Sequence, residues 1–152
     1  MKVVISKKKR NLTLYNKEEK IILVCKIALG KNAIGHKEKE GDGKTPEGQY
    51  KICLVKEKGK YGKSLGLNYP NIKDATNAYF NNWIDEFTYN AITSAINKGS
   101  RPPWGTALGG EIYIHAGGNE KDWTQGCIAL NETDMEMLYN CYQQINLVEI
   151  QP

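Results

Sequence analysis

Ile112-Tyr113-Ile114-His115-Ala116-Gly117-Gly118 and, after a short polar spacer, Thr124-Gln125-Gly126-Cys127-Ile128-Ala129-Leu130 form the stretch on which the reading of this chain turns. Ile112 and Ile114 alternate with Tyr113 and His115, the period-two pattern of a strand with one face against a core. His115 closes that strand and meets glycines. Cys127 follows Gly126 and opens a second extended run, Ile128 to Leu130. Both reactive side chains therefore stand at strand ends beside turn residues, where a rigid scaffold presents chemistry.

The residue types suit nucleophilic acyl transfer. A thiol is a weak nucleophile until it loses its proton. An imidazole within hydrogen-bond reach can take that proton and later return it to a leaving amine. A glycine before the cysteine allows close backbone approach to a substrate. The N–H groups of Gly126, Cys127 and Gln125 are the candidates to face a developing oxyanion. Taken alone, these residues also fit a buried structural cysteine beside an unrelated histidine.

Working outward, Val3 to Ile5, Leu12 to Leu14 and Lys20 to Leu29 read as three strands of an opening meander. Lys31 to Gly48 reads as a long exposed loop, rich in Gly and Lys and ending in turn residues. Gln49 to Lys56 alternates like one strand, with Tyr50, Ile52 and Leu54 on one face. Asp85 to Asn97 has apolar residues at helical spacing, and Gly99 follows as a C′ residue. Asn131 is placed to cap a last helix, with Met135, Leu138, Tyr142 and Ile145 as its apolar stripe. Asn146 to Ile150 closes the chain as a strand. The expected fold is mainly β, with one or two packed helices, and the length of 152 residues suits a single domain over 1–152.

Composition narrows the function. A net charge of +4 could attract an anionic polymer, but Lys7 to Arg10 and the Lys-rich segment 37–63 read as solvated loops. No fold-level signature of a nucleic-acid module is present. No apolar run reaches membrane-spanning length. Residues 1–6 carry no apolar signal core, so either export does not use that route or a precursor was trimmed. Cys25, Cys53 and Cys141 read as small buried thiols, without a disulfide framework. His36 reads as a solvated loop residue. Two histidines without His-Glu-x-x-His or Cys-x-x-Cys spacing argue against a zinc enzyme, so no metal and no cofactor is expected. A Gly-x-Ser-x-Gly elbow is absent too.

His115 followed by Thr124-x-Gly126-Cys127-Ile128 resembles the signature of the YkuD-type L,D-transpeptidases. Leu29-Gly30-Lys31, then Gly41-Asp42-Gly43-Lys44-Thr45-Pro46-Glu47-Gly48-Gln49-Tyr50, Ser64 to Asn71 and Leu108 to His115 match that domain in order. The resemblance implies a sandwich-like catalytic domain. It implies Cys127 as nucleophile and His115 as its base, with a backbone carbonyl at Ala116 or Gly117 orienting the imidazole. It also implies peptidoglycan stem tetrapeptides as substrate, a thioester with release of D-alanine, acylation by carbapenems, and a place in the cell envelope; a cytosolic role stays open. Water as acceptor would give an L,D-carboxypeptidase or amidase, and loss of chemistry would leave a wall-binding domain.

The chain departs from the family pattern in three places. Gln125 stands where many members have a second His. Ala129 stands where many have Arg, so a substrate carboxylate would be met elsewhere, for example by Lys121 or Arg101. The spacer from His115 to Thr124 is short, which predicts a reduced flap. Trp123, Gln125 and Thr124 are further candidates for the substrate groove, with loop bonding the alternative for Thr124. Gly117 and Gly118 read most simply as turn residues. Tyr69, Pro70 and Trp104 could wall the cleft or simply pack. No feature fixes the oligomeric state, and a monomer is the default.

Overall fold

The computed structural model describes residues Met1–Pro152. In chain order the strands are β1 (Lys2–Ser6), β2 (Asn11–Tyr15), β3 (Ile21–Lys26), β4 (Gly48–Tyr50), β5 (Ile52–Gly59), β6 (Gly62–Leu67), β7 (Tyr113–His115), β8 (Ile128–Ala129) and β9 (Leu147–Gln151). The helices are α1 (Ile72–Phe80) and α2 (Glu86–Asn97), between β6 and β7, and α3 (Glu132–Tyr139), before β9. One sheet runs β3-β2-β1-β9-β4 and the other β5-β6-β7-β8. The opening meander forms as expected, and β9 returns to pair with β1 in parallel.

The alternation in these strands makes the sandwich. Val3, Ile5, Leu12, Leu14, Val148 and Ile150 turn inward from the first sheet, and Leu65, Leu67, Ile114 and Ile128 from the second. All ten belong to one buried cluster, which Met135 and Leu138 of α3 also enter. Full burial of one such side chain stabilises the fold by roughly 1.5–3 kcal/mol. A smaller cluster, Ala75, Ala78, Ile84, Ile92 and Leu108, holds α1 and α2 together.

There are three α-helices rather than one or two. The unexpected one is α1, opened by a capping box in which Asn71 and Asp74 bond each other's backbone N–H groups. Its buried face is built from small residues, Asp74, Ala75 and Ala78, so it shows no broad apolar stripe. α2 starts at its Asp85 cap. It ends as expected at Gly99, whose N–H bonds Ile96 while Ser100 N–H bonds Ala95, a Schellman closure. α3 has the predicted Asn131 cap but stops at Tyr139; Tyr142 belongs to a 3-10 turn and Ile145 follows it, so the expected stripe spans a break.

The segment from Gln49 to Lys56 is two strands. Lys51 separates β4, which pairs with β9 in the first sheet, from β5, which pairs with β6 in the second. The 31–48 loop has no regular structure, yet Lys37, Gly43, Thr45 and Pro46 within it are buried. Lys7, expected on the surface, is buried and holds this loop. Its Nζ donates to Gly35 O at 2.7 Å, Thr45 O at 2.8 Å and Glu47 Oε1 at 3.0 Å. An ammonium group can be buried only when its donors are met in this way. His36 is also engaged rather than solvated: Nε2 lies 2.8 Å from Asp74 Oδ1, and Nδ1 accepts from Glu47 N. Cys25 is buried, while Cys53 and Cys141 are only half-buried.

Candidate active site

The registers of the second sheet place the reactive side chains. Val55, Leu65, Ile114 and Ile128 lie level across β5, β6, β7 and β8, and Leu65, Ile114 and Ile128 are fully buried in the core. Their neighbours therefore point away from it. Lys56, Ser64, His115 and Ala129 form one outward row. Leu54, Gly66 and Tyr113 form the next, and Cys127, one residue before Ile128, is level with Tyr113. His115 and Cys127 thus share one face of adjacent strands as diagonal neighbours, a relation that spans roughly 7–8 Å between backbones and that an imidazole can bridge.

The loop before Cys127 is held on every side. Gly30, Gly43 and Gly126 meet so closely that a Cβ on Gly30 would stand 2.1 Å from Gly43 O and 3.1 Å from Gly126 Cα. Gly126 itself has φ +143°, and a Cβ there would fall 2.7 Å from Lys44 O. Only glycine fits both demands. Thr124 is buried, and its Oγ1 donates to Cys127 O at 2.7 Å and accepts Gly126 N–H at 3.1 Å. Its backbone bonds Leu29 and Lys31. Asp122 completes the anchor by accepting Leu29 N–H at 2.9 Å and pairing with Arg10 at 2.8 Å. Of the residues proposed for the substrate groove, Thr124 therefore serves the loop. The Gly126 N–H, read as an oxyanion donor, is committed to Thr124. The N–H groups of Gln125 and Cys127 bond nothing else in the backbone.

His115 is walled by aromatic rings. Tyr61, at the tip of the β5–β6 hairpin, stacks on it at 4.6 Å between centroids with the planes 14° apart. Trp123 meets it edge-on at 5.7 Å, and its indole N–H donates to Gly118 O at 3.0 Å. Gly117 leaves room for Trp123: with φ +123°, a Cβ there would lie 3.0 Å from the indole. Of the two carbonyls considered, that of Ala116 faces His115 Nδ1. That contact places the ring hydrogen on Nδ1 and leaves Nε2 as the acceptor. Burial pushes the imidazole below its ordinary value, against the opposing pull of the Ala116 carbonyl. Tyr61 was not singled out in the sequence; its only local sign is a tyrosine between Gly59 and Gly62.

Cys127 Sγ donates to Glu111 O at 3.3 Å and accepts Tyr113 N–H at 3.3 Å. Burial pushes this thiol up, the Tyr113 N–H pulls it down, the Glu111 carboxylate pushes it up and Lys37 pulls it down. Burial thus works against the charged form of both side chains, the thiolate and the imidazolium. Gln125 and Gly117 are exposed, and Ala116 is buried. Tyr69 packs in the core, its hydroxyl donating to Leu108 O at 2.9 Å, so it does not wall the site. No three His, Cys, Asp or Glu side chains come together as a metal site, and no helix is long and apolar enough to cross a membrane.

The YkuD family, the L,D-transpeptidase catalytic domain, matches residues 1–150, and this chain belongs to it. Among solved structures, a variant of the helical cell shape determining protein Pgp2 from Campylobacter jejuni is similar over 98% of this chain and 46% of its own, with a TM-score of 0.68 and 26% identity. The LD transpeptidase LdtMt1 in complex with imipenem shares the fold over 98% of this chain and 57% of its own, with a TM-score of 0.50 and 11% identity. YafK of Escherichia coli strain K12 is 30% identical over 82 residues, 51% of this chain and 33% of YafK. The chain thus spans a third of that curated relative and about half of the solved ones.

Proposed function

We propose that this protein is a cysteine-dependent L,D-transpeptidase acting on peptidoglycan stem tetrapeptides in the cell envelope. The observation that carries the reading is the shared outward face of Cys127 and His115, with Ala116 O fixing the imidazole so that Nε2 is the base. Family membership supplies the reaction class.

In this reading His115 Nε2 takes the Cys127 proton as the sulfur attacks the carbonyl on the L side of an L-to-D peptide bond. The C–S bond forms, and the carbonyl electrons move onto an oxyanion. The N–H groups of Cys127 and Gln125 stabilise that charge, Gly126 providing the tight turn that aims them. The C–N bond then breaks, and the imidazolium returns the proton to the departing amine of D-alanine, leaving a thioester on Cys127. An amine of a neighbouring stem attacks the thioester, giving its proton to His115. The sulfur leaves and recovers that proton as thiol. Water in place of the amine gives the carboxypeptidase. Thr124 positions the loop, and Trp123, Gln125 and Gly117 border the groove.

Intact-mass spectra of wild type and Cys127→Ala, after incubation with imipenem and with a disaccharide-tetrapeptide, test the reading. The expected result is a covalent adduct on wild type alone, with D-alanine released from the peptide. An added acceptor amine appearing in the product separates transfer from hydrolysis. No adduct and no release from folded protein would remove the assignment.

A further inference from the structure

Past the C-terminal end of α1 an indole stands in the open between two cavities. Trp83 lines both: one of about 500 Å³ with Glu38, Glu40 and Leu108, and one of about 530 Å³ with Asn82, Asp85 and Thr88. Trp83 is 43% exposed, and Phe80 and Phe87, on the helix ends that flank it, are 78% and 82% exposed. Trp104 and Trp123, by contrast, pack edge-on against Tyr113 and His115. Large aromatic side chains left together in water mark a binding surface.

Local sequence fixes the turn that carries Trp83 at both ends. Asn82 takes the left-handed conformation, φ +58°, and α1 closes as a Schellman motif, with Asn82 N–H bonding Tyr79 O and Trp83 N–H bonding Ala78 O. Two residues later Asp85 caps α2 by accepting Thr88 N–H at 2.8 Å. Between them Ile84 joins the small cluster of Ala75, Ala78, Ile92 and Leu108, while its neighbour Trp83 stays outside it. The opposite wall is held too. Glu40 N–H bonds Ala107 O at 2.9 Å, and the N–H groups of Glu38 and Lys39 bond Asp42. Gly109 makes room for the Glu40 carboxylate, since a Cβ there would stand 2.4 Å from Oε2. A platform already held in place loses little freedom when it binds.

A flat indole bordered by carboxylates, an amide and a hydroxyl suits a sugar ring. One face of a pyranose presents C–H bonds that pack on an aromatic face, while hydroxyl and acetamido groups project from its rim. Carboxylates accept from such hydroxyls, and the Asn82 amide both donates and accepts. A membrane surface is the competing partner for exposed Phe80, Trp83 and Phe87. Among the residues lining the two cavities, however, the carboxylates of Glu38, Glu40 and Asp85 outnumber the one ammonium, Lys39. That border repels an anionic bilayer.

The surface lies within reach of the thiol. Leu108 is three residues from Glu111, whose carbonyl accepts from Cys127 Sγ at 3.3 Å. The Cα atoms of Leu108 and Glu111 are therefore no more than roughly 11 Å apart. The three stem residues up to the scissile carbonyl span a similar length when extended. We infer that Trp83 is the platform for a sugar of the glycan strand that bears the acyl-donor stem, with Asn82, Asp85, Glu38 and Glu40 meeting the sugar's rim. The inference rests on the peptidoglycan reading given above. A strand held there tethers its stem beside Cys127 and raises the effective concentration of the scissile carbonyl.

Binding of glycan without stems tests the platform apart from the reaction. The probe is peptide-free glycan strands, prepared by amidase cleavage of the stems. The chain has three tryptophans, so three indole N–H resonances are read, and Trp83→Phe identifies one of them. Titration should shift the Trp83 resonance and leave those of Trp104 and Trp123 in place. Trp83→Ala should weaken binding about tenfold, the order expected for one stacked ring, and Trp83→Phe should lose less. Urea unfolding checks that each variant is folded. No shift of the Trp83 resonance, or equal affinity in Trp83→Ala, overturns the platform. Binding to phosphatidylglycerol vesicles without binding to glycan overturns it in favour of a membrane contact.

The second measurement compares KM for a disaccharide-tetrapeptide and for the free tetrapeptide, read by release of D-alanine. The wild type should show a KM about tenfold lower with the disaccharide, and Trp83→Ala should bring the two values together. Equal KM with wild type overturns the platform while leaving the transpeptidase reading intact. Absence of release from both peptides overturns that reading, and the glycan titration then decides the platform alone.

Discussion

Tyr61 covers His115 face to face, ring centroids 4.6 Å apart, although 54 residues of chain separate them. The hairpin tip thereby dehydrates the imidazole from one side while Trp123 closes another. Burial disfavours the charged imidazole, which is why His115 titrates below its ordinary value. Tyr61→Ala admits water, so the His115 pKa should rise toward the ordinary one, and the acid limb of the pH–rate profile should move up with it. Tyr61→Phe keeps the stack and should leave both in place. Proton-detected titration of the two histidines reads the shift directly; a His115 pKa that does not move in Tyr61→Ala would remove the hairpin from this role.

The thiol should be slow at neutral pH. Cys127 is pushed up by burial and by Glu111, so its thiolate appears only above the ordinary thiol range. The iodoacetamide rate at Cys127 should therefore climb with pH later than that of a small free thiol. Glu111→Gln removes the nearby negative charge, lowers the thiol pKa, and should raise the rate at pH 8 about two- to threefold. A plateau already reached at pH 7 would mean a thiolate at rest, contrary to the upward push of burial on Cys127.

Thr124 tests whether the loop must be held. Its hydroxyl meets both Gly126 N–H and Cys127 O inside the protein. Thr124→Val keeps the shape and orphans both groups, at a cost of about 1–3 kcal/mol of stability. The acylation rate should fall further than stability alone explains, because the turn that carries Cys127 loosens. Thr124→Ser should restore most of both. Urea unfolding beside imipenem acylation separates the two effects; acylation at the wild-type rate in Thr124→Val would show that the hydroxyl only stabilises the fold.

Short-range order was legible in the sequence; what depended on partners distant in the chain was not. The opening meander, the Asn131 cap and the Gly99 closure follow from local pattern and capping chemistry. His115, Gly126 and Cys127 stood out because they lie within one stretch. Lys7 and His36 read as solvated because nothing beside them in sequence predicts Thr45, Glu47 or Asp74 as their partners. Lys51 looked like the middle of a strand because the alternation of Tyr50, Ile52 and Leu54 continues through the point where the chain passes from one sheet to the other. Tyr61 is joined to the site by sheet register, which no local window contains.

Lys37 and Asp42 show how the 31–48 loop keeps its shape beneath the site. Lys37 Nζ lies 2.9 Å from Asp42 Oδ1, and both side chains are at least nine-tenths buried. Asp42 also accepts the N–H groups of Glu38, Lys39 and Lys44. Burial works against its charge, but these bonds and Lys37 together hold its carboxyl below the ordinary value of 3.8. A carboxylate whose folded pKa is depressed contributes stability that is complete above the unfolded value and lost as pH falls through the folded one. The wild type should therefore lose stability below about pH 4 in part through Asp42. Asp42→Ala strands the Lys37 ammonium in the interior and should cost about 3–5 kcal/mol at pH 7 while flattening that acid limb. Lys37→Met should cost less, since Asp42 keeps its three backbone donors. The double variant should be more stable than the sum of the two losses predicts, because the stranded ammonium is gone. Urea unfolding of the four proteins at pH 7 and pH 3.5 measures the cycle; strict additivity at pH 7 would show that the two charges do not depend on each other.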